Sequence, residues 1–176
     1  LTCSIWAGTA FVEKPKSIRV ENWWQLADYM QAPLDASWFG TVSRSRTSSE
    51  SGGWTYTKGE PTELSGIDRR IRRGDSEEYL TWETPNLRMA QVVIQAVETA
   101  VEPALKLLIS RDGEHWEELG YTVQEMGIAE GRYEMILAAE VPEGVQADWC
   151  QLRVLPGHFA ADALHITEAS FTGLNQ

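Results

Sequence analysis

Between Tyr133 and Val141 every second residue is apolar: Tyr133, Met135, Leu137, Ala139 and Val141. Side chains of a β-strand alternate between its two faces, so this spacing puts all of them on one side. The period returns at Trp149–Leu155, where Cys150, Leu152 and Val154 share a face and Trp149, Gln151 and Arg153 share the other. A helix would scatter either set around its circumference, so both segments are predicted as strands. Further strands are predicted at Ile18–Val20, Tyr79–Trp82, Met89–Val97, Leu105–Ser110, Trp116–Tyr121 and Leu164–Phe171, with a turn at Pro142–Val145. Asp112-Gly113 is a tight-turn signal, because Gly takes positive φ at no steric cost, and Trp116 is expected to fold its ring back over that hairpin. Only Asn22–Met30 carries a helical stripe, made by Trp23, Trp24, Leu26, Ala27 and Met30, with Asn22 as cap. About eight strands with turns between them predict an all-β chain, an antiparallel β-sandwich forming one domain over residues 1–176.

Composition narrows the function. Hydrophobic residues make up 43% of the chain, which fits a packed domain and not a disordered one. No apolar run approaches the roughly 20 residues that span a bilayer, so no membrane partner is expected. The net charge of −11 argues against general nucleic-acid binding. The chain opens on Leu1 without an initiator Met or a signal peptide, which reads as a processed start. Cys3 and Cys150 either form one disulfide, as suits a secreted protein, or remain two buried thiols. No Cys/His cluster has zinc spacing.

The order of features from about Asn22 to Phe171 resembles a family of jelly-roll modules attached to secreted bacterial polysaccharide lyases and glycoside hydrolases. The resemblance covers residues 22–172 and leaves 1–21 as an N-terminal strand or linker. It rests on aromatic-rich Trp23–Met30 followed by Ser/Gly-rich 43–53, then Leu64-Ser65-Gly66-Ile67-Asp68-Arg69-Arg70-Ile71-Arg72-Arg73 leading into Glu78-Tyr79-Leu80-Thr81-Trp82. The Ser110-x-Asp112-Gly113-x-x-Trp116 hairpin, the Pro142-Glu143-Gly144 turn and the closing Glu168-Ala169-Ser170-Phe171 keep the family order. Gly66-Ile67-Asp68 stands where the family has Gly-Gly-Asp. The resemblance implies a secreted, non-catalytic, sugar-directed module whose partners are a polysaccharide and the catalytic domain of a parent enzyme. It does not carry the identity of the sugar.

The candidate ligand-binding residues come from charge and aromatic content. Residues 91–150 hold three basic against twelve acidic residues, whereas 41–90 hold eight of each. Arg44, Arg46, Arg70 and Arg72 therefore stand out, since a guanidinium fork matches a carboxylate and would read an acidic polysaccharide. The alternative is solvated Arg paired with Asp68, Asp75, Glu77 and Glu78. Eight Trp are either stacking surfaces for pyranose rings or, for most of them, core and hairpin packing. Trp149, Gln151 and Arg153 combine a platform, an amide and a guanidinium, unless a second layer covers them. Trp54 and Tyr56 share a face beside the Arg-rich loop, as a platform or as packing.

No catalytic residue is expected. Adjacent carboxylates such as Glu117 and Glu118 point to opposite faces of a strand and cannot flank one glycosidic bond alone. The alternative is a small lyase or hydrolase, for which Tyr56, His158, Gln151 and Arg153 would supply a base and carboxylate-neutralising groups. A second alternative is a structural module packed on a catalytic domain. A structural calcium would draw on Asp112, Asp148, Asp162 or Glu168, although no Asp-x-Asp loop is present.

Overall fold

The computed structural model describes residues 23–30, 34–36, 40–42, 46–56 and 68–175. Among them no helix occurs. The strands are β1 (Trp23–Asp28), β2 (Leu34–Ala36), β3 (Gly40–Val42), β4 (Ser49–Glu50), β5 (Trp54–Tyr56), β6 (Arg70–Arg72) and β7 (Glu78–Glu83). They continue as β8 (Leu87–Ala96), β9 (Leu105–Ser110), β10 (Glu117–Leu119), β11 (Thr122–Ala129), β12 (Arg132–Glu140), β13 (Trp149–Val154) and β14 (Leu164–Leu174).

Two antiparallel sheets form the sandwich. The larger runs β11-β12-β8-β14-β6-β5, with β1 also paired to β14, and the smaller runs β10-β9-β13-β7-β4. β2 and β3 form a separate ribbon. The alternation read from the sequence explains the packing. Met135, Leu137 and Ala139 point into the core from β12 and Cys150, Leu152 and Val154 from β13, all of them buried. Leu80 and Trp82 add to the small sheet's inner face, and Val92, Ile94 and Phe171 to the large sheet's. Trp82 meets Phe171 across the gap with ring centroids 5.0 Å apart at 46°, a tilted aromatic contact that joins the layers.

The helical expectation for Asn22–Met30 is overturned over the described part. Trp23–Asp28 is strand β1, paired along its length with β14 from Trp23↔Leu174 to Asp28↔Ala169. The stripe is period two: Trp24, Leu26, Asp28 and Met30 turn inward, while Trp23, Gln25 and Tyr29 are exposed. The Trp24 ring lies over Gly173, where an added Cβ would come within 2.4 Å of it, and its indole N–H donates to the Pro85 carbonyl at 2.8 Å. Asp28 hid the alternation because a carboxylate occupies an inward position. It is buried, and accepts from the Trp82 indole at 3.0 Å and from the Met30 N–H at 3.0 Å.

The hairpin expectations divide. β9 and β10 are antiparallel neighbours, but Glu117 pairs with Ile109, so the connection is a longer loop than a two-residue turn. The two-residue hairpin is Glu130-Gly131 between β11 and β12, with φ of 52° and 76° and Ala129↔Arg132 closing it. β11 is the long strand absent from the sequence reading. It is an edge strand with Met126 and Ile128 exposed, and its register shifts between Glu125 and Gly127, so it shows no clean alternation. Ile18–Val20 and Cys3 lie outside the described residues. No described helix is long and apolar enough to cross a membrane.

Cys150 is a free, fully buried thiol, and burial pushes its pKa up to about 12. We expect iodoacetamide, without reductant, to leave Cys150 unmodified in the native protein through about pH 9, since thiolate is the reactive form. Denaturant should then expose it to complete labelling, read by peptide mapping. Failure to label in denaturant until a reductant is added would establish a disulfide instead.

Candidate functional site

The outer face of the small sheet carries a groove that brings aromatic, amide and hydroxyl side chains together. Strand register assembles it. Gln151 pairs with Thr81 of β7 and Leu108 of β9, and Arg153 with Tyr79 and Lys106. Ser49 of β4 pairs with Thr81 on the far side. Tyr79, Thr81, Trp149, Gln151 and Arg153 therefore share the face opposite Leu80, Trp82, Cys150 and Leu152. The groove has a volume of about 380 Å³. Trp149, Trp116 and Tyr79 supply its aromatic surface, Thr81, Gln151 and Ser49 its polar floor, and Asp112-Gly113 one wall.

The β9–β10 loop is built to hold that wall. Ser110 Oγ accepts from the N–H groups of Asp112 at 3.2 Å and Gly113 at 2.9 Å. Asp112 Oδ1 accepts from the N–H groups of Glu114 and His115, each at 2.9 Å, and Oδ2 lies 2.8 Å from His115 Nδ1. The backbone N–H of His115, then that of Glu114, then the His115 ring hold the Asp112 carboxyl well below the usual carboxylate range. Gly113 has φ of +79°, and a Cβ there would come within 3.3 Å of Trp149 Cε2. The Trp149 indole thus rests on the bare backbone of the loop, half-buried with its remaining surface open to the groove. Trp116, also half-buried, borders the same space.

A pH response follows from the sign of that shift. A carboxyl depressed in the fold stabilises it above the unfolded value and loses its effect as pH falls through the folded one. The unfolded value is about 3.9, so the loop should hold Trp149 in place from pH 8 to roughly pH 4. Intrinsic Trp fluorescence of wild type should be flat across that range and change only below it. Asp112→Ala should instead alter the Trp signal at neutral pH, and an unaltered signal would show that the loop does not depend on Asp112.

The remaining candidates are dispersed. Arg44 lies outside the described residues. Arg46 is exposed, and its backbone N–H donates to Asp28 at 3.3 Å. Trp54 is buried and donates its indole N–H to Ser51 Oγ and the Tyr79 carbonyl, each at 3.1 Å, so it packs rather than presents a platform. Arg70 and Arg72 are inward residues of β6, both fully buried. Arg70 donates to Glu50 at 3.2 Å and to the Met30 carbonyl at 2.9 Å, and its guanidinium stacks 4.2 Å from the Tyr56 ring centre. Arg72 holds loop carbonyls: Phe159 at 3.0 Å, Leu155 at 3.3 Å, and Ser76. Burial pulls the Arg72 pKa down, with Glu78 and Asp75 opposing. These two guanidiniums brace the inside of the fold, where no polymer reaches. Arg69, beside them, forms a forked pair with Glu130 at 2.6 and 2.7 Å.

The residues considered for lyase chemistry are not brought together. Tyr56 faces inward from the large sheet and donates its hydroxyl to Glu50. Burial, then that hydrogen bond, push its pKa up to about 12, so it is a poor base at neutral pH. Gln151 and Arg153 lie on the outer face of the small sheet, and His158 is in an exposed loop. The calcium candidates are also separate. Asp112 holds its loop, Asp148 accepts from the Asn86 N–H at 2.8 Å, and Asp162 pairs with Arg132 and His165. Among the described residues no group of three or more His, Cys, Asp or Glu is placed to hold a metal.

No protein-family model and no curated protein matches the chain. Tyr79, Thr81 and Ser49 border the groove although nothing in the sequence singles them out for it, and Trp116, expected to pack on its own hairpin, borders it too. Thr81 and Tyr79 alternate with Leu80 and Trp82, a signal that marks a strand face but not its neighbours across the sheet.

Proposed function

We propose that this β-sandwich is a non-catalytic carbohydrate-binding module, and that the outer face of its small sheet is the binding surface. The observation that carries this reading is the groove in which Trp149, Trp116 and Tyr79 surround a buried polar floor of Thr81 and Gln151. Aromatic faces suit the axial C–H faces of pyranose rings, and a few fixed polar groups suit their hydroxyls. Ligand sites commonly combine these in one concavity. The resemblance of the sequence to accessory modules of secreted polysaccharide-degrading enzymes supports the same reading, in which the chain would work beside a catalytic domain outside the cell.

Affinity electrophoresis through gels containing neutral or acidic polysaccharides tests the proposal. Retardation by at least one polymer, relieved by Trp149→Ala, supports it. Equal mobility in every gel supports a structural module that packs on a neighbour. Depolymerisation of a polysaccharide by the isolated chain would favour an enzyme.

A further inference from the structure

We infer that the groove selects uncharged glycans, and that Arg153 serves it as a positioning residue acting through Gln151, not as a partner for ligand carboxylates. This rests on the carbohydrate-binding reading above. A guanidinium can only donate hydrogen bonds, whereas an amide both donates and accepts. Arg153 donates through Nε at 3.0 Å and Nη2 at 2.7 Å to Gln151 Oε1. That pair fixes which end of the amide is oxygen, because the reverse orientation would set an NH₂ group against the guanidinium. The amide nitrogen is thereby turned to Thr81, donating to Oγ1 at 3.0 Å.

The relay has a direction, Arg153 to Gln151 to Thr81. Its end leaves the Thr81 hydroxyl proton and the second Gln151 N–H as donors at the groove floor. Both residues are about 95% buried or more, with exposures of 5% for Gln151 and 3% for Thr81, so water competes poorly there. Sugar hydroxyl and ring oxygens accept from such donors without bringing charge.

The charge around the groove excludes a carboxylate. Arg153 is held by Gln151 and lies 3.9 Å from Glu77. Lys106, in register with Arg153 on β9, is paired with Glu118 at 2.7 Å. Glu83, across from Trp149, and Asp112, in the wall, add negative charge. The two cations that the described strands place on this face, Arg153 and Lys106, are thus already engaged, so a polyanion approaching between them meets carboxylates.

The test uses the chain as it stands and a panel of neutral α- and β-linked hexose oligosaccharides, each beside its counterpart oxidised at C6 to the uronate. Calorimetry gives affinities at low and high salt. Wild type should bind a neutral member at least about tenfold tighter than its uronate, with no salt dependence. Arg153→Met should weaken neutral binding by about tenfold without lowering the melting temperature, because the amide is then free to turn. Arg153→Lys, which still donates to Oε1, should recover part of the loss. Preferential binding of the uronate, weakened by salt and by Arg153→Met, overturns this inference while leaving the carbohydrate-binding reading intact. Undiminished neutral binding by Arg153→Met overturns the relay. Binding of neither series overturns both the inference and the reading beneath it.

Discussion

Replacing Arg70 with Ala should destabilise the protein by about 3–5 kcal/mol, the usual effect of removing one partner from a buried ionic network. Arg70 has no exposed surface, bridges Glu50 to the Met30 carbonyl and stacks on Tyr56. Truncation leaves that carbonyl without its donor, removes the cation from Glu50 and opens a void under the Tyr56 ring. Urea unfolding should show the midpoint falling by roughly 1–3 M. Arg70→Lys should rescue little, since a point charge cannot span both acceptors or stack on the ring. A midpoint within error of wild type would return Arg70 to the surface, where the sequence reading had it.

Trp149→Ala carries the largest expected effect on binding. The ring is half-buried, rests on Gly113 and presents the rest of its area to the groove. Loss of a central aromatic anchor typically costs about 2 kcal/mol or more, close to a 30-fold rise in Kd. Stability should change far less, by about 1 kcal/mol, because the indole is not part of the core between the sheets. Trp149→Phe should keep much of the affinity by retaining an aromatic face. Unchanged affinity in Trp149→Ala would remove the platform from the account.

The sequence made the sandwich legible where one face is apolar and the other polar. β12 and β13 alternate cleanly, because a core residue at every second position is what a half-buried strand requires. The outer set Trp149, Gln151 and Arg153 followed from the same alternation, and it supplies two groove residues and the guanidinium behind them. β1 and β6 were misread because charge occupies inward positions. Asp28 interrupts the alternation of Trp24, Leu26 and Met30, so local spacing favoured a helix. Arg70 and Arg72 looked like surface cations because buried arginines are rare, and only the folded chain supplies their acceptors, Glu50 and the carbonyls of Met30, Phe159 and Leu155. The groove itself depends on cross-strand register. Nothing local in Tyr79 or Thr81 shows that Arg153 and Gln151 stand beside them.

The most direct test of the account is an amide and indole NMR titration of the ¹⁵N-labelled chain with the neutral oligosaccharides that bind. Shifts should concentrate at the Trp149 and Trp116 indoles, the Gln151 side-chain amide and the backbone of Tyr79, Thr81 and Gly113, with the large sheet unmoved. Saturable shifts centred on the large sheet or on the β11–β12 hairpin, with the Trp149 indole silent, would contradict it.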